Sequence, residues 1–383
     1  MLNEEIEKFI QTELNTPIAE LSLKLSKKVD WPKQFIINQV NGRQKAKKKF
    51  PFLANFPNYI FPSPRAFAQA SSEQTAAYKA TLVKGDQMAD LSGGMGIDTY
   101  FFDQKVKHLD FVERDEELFQ ISEKNFRLLG AKNVHAHKQE AESFLKEAKK
   151  YDFTYLDPDR RDESKRLFQI EDCSPNVLEL IPVLFQKSKK VLVKLSPLLD
   201  IKLAIEQFKK VEAVHVVAVE NDCKELLFIL NPDYKAEAQI HCINFVQKEA
   251  NKFAFNYSQE EQTTVNYSSV QQYLYEPNVA ITKAGAFKSI AADFKLNKLA
   301  PNTHLYTSET LLNDFPGRVL KVTELTSPQK IKNKSANVVS KNFPLKAEQI
   351  RKKYKIKEGK NNFLYACGLW DNSKIFIWAE RIP

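Results

Sequence analysis

The chain has 383 residues, a formal net charge of +9 and a pI of about 9.0, with 43% hydrophobic and 27% charged residues. A single core rarely grows past about 250–300 residues, so two to four domains are expected. The composition is that of a globular protein, no run approaches the ~20 apolar residues of a bilayer span, and the basic balance favours a polyanionic partner such as RNA or DNA.

The chain opens on MLNEEIEKFIQTEL, acidic and amphipathic, without the basic region and apolar run of a signal peptide, which points to the cytoplasm. Ile6, Phe9, Ile10 and Leu14 follow helical spacing. Further helices are expected near Ile18–Val29 and from about Pro32 to Val40. The basic run Arg43-Gln44-Lys45-Ala46-Lys47-Lys48-Lys49 and a proline-punctuated loop, Pro51 to Pro64, precede one more helix over about Ser63–Leu82. Residues 1–80 are thus expected to be a helical region.

From 81 to 235 short apolar strands alternate with polar helical stretches. The strands are Met88–Ser92, His108–Val112, Asn133–Ala136, Phe153–Leu156, Val191–Leu195, Val214–Val219 and Leu226–Leu230. Helical patterns separate the first five, the rhythm of a mostly parallel sheet. Only residues 220–225 separate the last two, too few for a crossover helix, so these should form an antiparallel hairpin. Residues 236–325 carry strand signals at Asn278–Thr282 and His304–Thr307 and a helix near Ala286–Phe294. Residues 326–383 read as strand Ala336–Ser340, helix Leu345–Tyr354 and strands Phe363–Leu369 and Lys374–Arg381 joined by the Asp371-Asn372-Ser373 turn. Both segments are expected to be small α+β domains.

The turn Asp90-Leu91-Ser92-Gly93-Gly94-Met95-Gly96-Ile97-Asp98 follows the first strand and opens a helix. Glycines there let a ligand approach the backbone, and the helix start offers N–H groups and a positive dipole end. The turn lacks full GxGxxG spacing, which counts against a dinucleotide and an oxidoreductase. A cofactor with a carboxylate and a sulfonium, S-adenosyl-L-methionine, fits better. Asp90, Ser92, Gly93, Gly94, Gly96 and Asp98 are the candidate contacts, the turn N–H groups for the carboxylate and Asp90 for the amino group. Glu113, about twenty residues on at the end of the second strand, is placed to accept from both ribose hydroxyls. Glu140, after the third strand, is the candidate for the adenine amino group.

The fourth strand ends in Leu156-Asp157-Pro158-Asp159-Arg160-Arg161. Ligands of open α/β sheets bind at the carboxyl ends of strands. That position sets Asp157 and the Pro158 carbonyl beside a transferable methyl group, able to orient an amine or a hydroxyl and take its proton. Arg160 and Arg161 are candidates for substrate phosphate, because guanidinium forks match its geometry. The segment resembles the DPPY loop of amino-methyltransferases, but Asp159 and Arg160 replace its second proline and its aromatic residue, which counts against methylation of a base amino group. Cys173, one of four cysteines without CxxC spacing, is a weak candidate nucleophile. No metal site or disulfide framework is expected. Ten basic residues between 332 and 360, Lys352 and Lys353 among them, suit a module that grips a phosphate backbone.

With these residues in view, the chain resembles class I methyltransferases that carry C-terminal ferredoxin-like and THUMP-like domains. The resemblance rests on Gln69 to Ala76 with Lys79, DLSGGMGIDT at 90–99, LDPDRR at 156–161, Asp222-Cys223-Lys224-Glu225-Leu226, Glu276-Pro277-Asn278, Lys283 to Phe287, and Ala336 to Pro344. It implies a Rossmann-like, seven-stranded α/β domain, a ferredoxin-like domain and a THUMP-like domain, with RNA as the partner. It places the glycine turn on Asp90, Gly93, Gly94 and Gly96 and the ribose acid on Glu113. Two other readings stay open: a methyltransferase for a protein or small molecule, and an RNA-binding protein whose methyltransferase fold no longer catalyses.

Overall fold

A computed structural model describes residues 4–160, 169–247 and 249–382, without the side chains of Arg160, Pro328 and Gln329. Contacts divide the chain into two compact units, residues 1–211 with 228–235, and residues 212–227 with 236–383. Among the described residues, no helix is long and apolar enough to cross a membrane.

The first unit begins with the expected helices, Glu4–Thr12, Ile18–Ser26 and Lys33–Lys49. Their apolar faces meet in a core of Ile6, Ile10, Leu21, Leu25, Ile36 and Val40. The single helix expected over Ser63–Leu82 is instead two, Pro64–Gln69 and Glu73–Leu82. Serine caps explain the break. Ser63 accepts from Ala66 N at 3.4 Å, and Ser72 accepts from Thr75 N at 3.3 Å, so each hydroxyl starts a new helix. The residues between, Ala70 and Ser71, are free to leave the helical path.

The large sheet follows. Its strands are β1 (Gln87–Asp90), β2 (His108–Glu113), β3 (Val134–Lys138), β4 (Tyr151–Leu156), β7 (Ser188–Leu195), β8 (Val211–Val219), β9 (Asp222–Leu230), β10 (Gln239–Val246) and β11 (Glu249–Phe255). Two short strands, β5 (Asp159–Arg160) and β6 (Cys173–Ser174), pair with each other outside it. In the first unit the order is β7-β4-β1-β2-β3, and in the second unit, which holds nearly all of β8, most of β9, and β10 and β11, it is β11-β10-β8-β9; these are the seven strands expected, with β10 and β11 added. The pairs β1–β2, β1–β4, β2–β3 and β4–β7 are all parallel. The expected hairpin is present with a shorter connection than the sequence suggested, only Glu220 and Asn221. Both take positive φ, 51° and 59°, the two-residue turn whose twist matches that of paired strands. Register aligns the carboxyl ends of the central strands, with Asp90 beside Phe111 and Tyr155, and Leu156 beside Val193.

The second unit also carries a seven-stranded sheet. Its strands are β12 (Tyr273–Pro277), β13 (Asn297–Ala300), β14 (Thr303–Ser308), β15 (Gly317–Thr326), β16 (Asn337–Lys341), β17 (Asn362–Gly368) and β18 (Lys374–Arg381), in the order β13-β14-β12-β15-β18-β17-β16. Asn278–Thr282, read as extended, is helical instead: the Asn278 side chain caps Val279–Ala284 by accepting from Ala280 N and Ile281 N. The helix Ala347–Tyr354 packs Ile350 into a core with Leu364, Ala366, Phe376 and Trp378.

Candidate functional site

A cavity of about 380 Å³ lies wholly in the first unit, at the carboxyl ends of β1, β2, β3 and β4. It lies within the range of about 300–1,000 Å³ common for small-molecule sites. Of the residues singled out in the sequence, Asp90, Ser92, Gly93, Gly94, Gly96, Asp98, Glu113, Glu140 and Asp157 all line it. Pro158 is not among the lining residues. Arg161 and the side chain of Arg160 lie outside the described residues. Lys352 and Lys353 stand exposed on the helix Ala347–Tyr354 in the second unit. Cys173 is buried, with none of its surface exposed.

Packing and backbone conformation account for the glycine turn. A Cβ on Gly93 would stand 2.0 Å from the Phe111 ring, so that position has no room for a side chain. Gly94 and Gly96 take positive φ, 54° and 75°, which glycine adopts without strain. Their N–H groups are largely engaged within the protein. Gly93 N donates to Val112 O at 3.1 Å, Gly96 N to Gly93 O at 3.0 Å, and Gly94 N to Glu113 Oε2 at 2.8 Å. The sequence reading gave these amides to a cofactor carboxylate; each of the three has an acceptor inside the protein.

Glu113 also accepts from Asp115 N at 2.7 Å, and burial pushes its carboxyl above the usual range. Asp90 is almost fully buried; it accepts from Thr99 Oγ1 at 2.6 Å and from Ser92 N at 3.3 Å. Burial raises its carboxyl to about 7, and the nearby Asp98 and Asp157 add to the rise. Glu140 is more exposed and stands 3.7 Å from Arg114, which also donates to Ser174 Oγ at 3.2 Å.

Asp98 sits at the centre of a buried network that the sequence reading did not foresee. Its Oδ2 accepts from Ser71 Oγ at 2.7 Å and from Tyr155 OH at 2.9 Å. Lys79, 0% exposed, stands 3.2 Å from Oδ1 and donates to Ser71 Oγ at 2.8 Å. The Oδ1 contact is ionic rather than a well-aimed hydrogen bond. Burial would raise the Asp98 carboxyl, but Lys79, Lys194, Ser71 and Tyr155 together hold it below the usual range. Ser71 and Lys79 belong to the segment quoted above for the family resemblance, which had been given no role.

Asp157 organises the loop after β4. Its N–H donates to Ser92 Oγ at 2.5 Å, which ties the end of β4 to the turn after β1. Its carboxylate forms an ion pair with Lys194, near the end of β7. Lys194 was missed because a lysine within a strand's final residues reads as an ordinary solvated end. Gln69 Nε2 donates to Asp159 Oδ1 at 3.1 Å, which brings the helix Pro64–Gln69 to the same loop. Burial and the neighbouring Asp157 push the Asp159 carboxyl up. Among the described residues the cavity wall carries nine carboxylates, on Asp90, Asp98, Glu113, Asp115, Glu117, Glu140, Glu142, Asp157 and Asp159, against the guanidinium groups of Arg65 and Arg114. Such a wall favours a ligand with positive charge.

Comparison with known proteins extends this description. Residues 273–316 match a ferredoxin-like domain family and residues 317–381 a THUMP domain-like family. The whole chain aligns with a crystal structure from Porphyromonas gingivalis W83, described as a "putative methyltransferase", at TM-score 0.88 and 27% identity, with 100% of each chain covered. An rRNA methylase from Streptococcus thermophilus overlaps 41% of this chain and 93% of its own at TM-score 0.31 and 14% identity. SMU.1697c from Streptococcus mutans, solved in complex with SAH, overlaps 42% and 96% at TM-score 0.32 and 14% identity. These last two overlaps are too distant to bear on this chain's chemistry. No curated protein matches the chain. The C-terminal segments are thus of ferredoxin-like and THUMP-like type, and the chain shares the fold of the Porphyromonas protein from end to end.

Proposed function

We propose that the chain is an S-adenosyl-L-methionine-dependent methyltransferase acting on structured RNA. The observation that carries the reading is the convergence of Gly94, Glu113, Asp90 and Asp157 on one cavity at the carboxyl ends of parallel strands. The residues fit the cofactor's chemistry. Its sulfonium and ammonium suit an acid-lined wall, and we assign Glu113 to the ribose hydroxyls, Asp90 to the ammonium and Glu140 to the adenine amino group. When bound, S-adenosylmethionine supplies an electrophilic methyl group.

Asp157 orients the acceptor and receives its proton as methyl transfer proceeds. Lys194 holds that carboxylate in place, and the Ser92 hydroxyl fixes its backbone. We assign Arg160 and Arg161 to substrate phosphate, and Lys352 and Lys353 to the RNA backbone. Support for RNA comes from the net charge of +9 and from the THUMP-like type of residues 317–381. The cytoplasm is the expected compartment.

The test is incubation with labelled S-adenosylmethionine and total RNA from a strain lacking the gene, followed by mass spectrometry of the nucleosides. A methylated nucleoside formed by the protein and lost in Asp157→Ala supports the reading. Label that enters protein or small molecules instead would move it to another substrate class.

A further inference from the structure

Trp370 stands in the turn between β17 and β18 and is 54% exposed, more than any other large apolar side chain among the described residues of the second unit. Backbone bonds fix that turn: Leu369 N donates to Ser373 O at 3.0 Å, and Asn372 N donates to Leu369 O at 3.1 Å. The acid beside the indole is engaged within the turn, since Asp371 Oδ1 accepts from Ser373 N at 3.0 Å and from Ser373 Oγ at 2.6 Å. The hairpin thus holds a large apolar ring out in water, where its burial by a ligand would be favourable.

A groove of about 600 Å³ opens between the connection from β16 to the helix Ala347–Tyr354 and the start of β18. Register places it beside the hairpin: Lys341 pairs with Cys367 and Gly368 with Lys374, so the three strands meet at one end of the sheet. Lys374 Nζ donates to Asn342 O at 3.2 Å, and a Cβ on Gly368 would stand 2.9 Å from the same oxygen, so the root of the hairpin lies against that connection. Among the described residues the groove is lined by Lys346 and Lys374 and by no acid. An ammonium has three donors, so Lys374 keeps two beyond its bond to Asn342. Phe343, also on the wall, is held edge-on to Phe376 at 5.2 Å.

We propose that this groove and hairpin hold an unpaired nucleotide of the RNA, with its base stacked on Trp370 and its phosphate on Lys346 and Lys374. The inference rests on the RNA reading above. An indole stacks only on a base face that no neighbouring base covers, so it selects a strand end, a loop or a bulge over the interior of a duplex. The two ammonium groups act as point charges that hold the backbone without reading sequence.

Two fluorescein-labelled RNA hairpins with one stem sequence, one blunt and one with a short unpaired 3′ tail, test this on the full chain by anisotropy. The wild type should bind the tailed hairpin about 10-fold more tightly than the blunt one. The unlabelled tailed hairpin should also quench tryptophan emission, which Trp370 shares only with Trp31 and Trp378. Trp370→Ala should lose the preference and the quenching, with the blunt hairpin within about twofold of wild type. Trp370→Phe should keep part of the preference without the quenching. Lys346→Ala combined with Lys374→Ala should weaken the tailed hairpin and flatten its salt slope by about 1–2. A Trp370→Ala protein that keeps the preference overturns the inference, and so does a wild type that binds both hairpins alike. Equal losses for both hairpins in Trp370→Ala also overturn it, since the effect then lies in the fold. A wild type that binds neither hairpin at low salt removes the RNA reading itself, a different outcome from these.

Discussion

The N–H of Gly94 donates to Oε2 of Glu113 at 2.8 Å, so the turn after β1 and the acid at the end of β2 form one unit. Glu113 thereby shapes the turn, besides the contact with a ribose proposed for it. Truncation to alanine removes charge-assisted bonds of about 1.5–3 kcal/mol each and leaves Gly94 N without its partner. Glu113→Ala is expected to bind S-adenosylmethionine about 10- to 100-fold more weakly, and Glu113→Gln less so, as read by calorimetry.

Asp90 gives a pH dependence of definite sign. Burial lifts its folded carboxyl to about 7, above the ordinary value of 3.8. The folded chain therefore holds a proton that the unfolded chain releases. This contribution to stability is present at low pH and is lost as pH rises from about 4 to about 7. The difference in unfolding free energy between Asp90→Asn and wild type should grow by a few kcal/mol across that window in favour of the variant. Because the ionised carboxylate is the form that meets an ammonium, cofactor affinity should rise through the same window and level off above it. In Asp90→Asn the affinity should be flat with pH.

The Lys79–Asp98 pair is buried, and breaking such a pair costs more than its presence contributes. Lys79→Met should lower the unfolding free energy by about 3–5 kcal/mol, because it strands a carboxylate. Lys79→Met combined with Asp98→Asn should recover part of that loss in the same denaturant titration. The Asp98 carboxyl is depressed in the fold, so its contribution is present above about pH 4 and fades as pH falls through the lower folded value.

Much of this arrangement was legible from residue pattern. The strand ends at Asp90, Glu113 and Leu156 are set by apolar runs that stop at polar residues, and the glycine turn marks where the backbone must bend. The hairpin at Glu220-Asn221 was legible as a short connection, although its two-residue length was hidden because the polar residues 222–225 already belong to β9. The buried network was not legible. Lys79 follows helical spacing that gives no sign of full burial, and it is buried only because Ser72 restarts the helix and turns Ser71 towards Asp98. Asn278 misled for the same reason: its side chain caps a helix, a choice that the β-branched residues after it conceal.

Asp157 and Lys194 separate chemistry from binding. Asp157→Ala should reduce methyl transfer by more than about 100-fold, with cofactor affinity within about threefold of wild type. Lys194→Ala should reduce it less and shift the pH profile of transfer, because Lys194 acts through the Asp157 carboxylate. Lys194→Arg should restore part of the rate. Equal loss of cofactor binding in Asp157→Ala would move Asp157 from the acceptor to the cofactor.

Lys352 and Lys353 should act on RNA affinity alone. Replacing both with alanine is expected to weaken RNA binding and to flatten the slope of log affinity against log salt by about 1–2. Fluorescence anisotropy across a salt series reads both. An unchanged slope would remove these lysines from the RNA contact.

The most direct measurement is calorimetric titration of S-adenosylmethionine into the wild-type chain and into Gly94→Asp. The substitution puts a second carboxylate beside Glu113, at a position whose positive φ favours glycine. The account requires saturable binding at about micromolar concentrations in the wild type, a typical range for such ligands, and none in Gly94→Asp with thermal unfolding preserved. A wild-type chain that gives no binding heat, or a Gly94→Asp chain that binds as tightly, contradicts it.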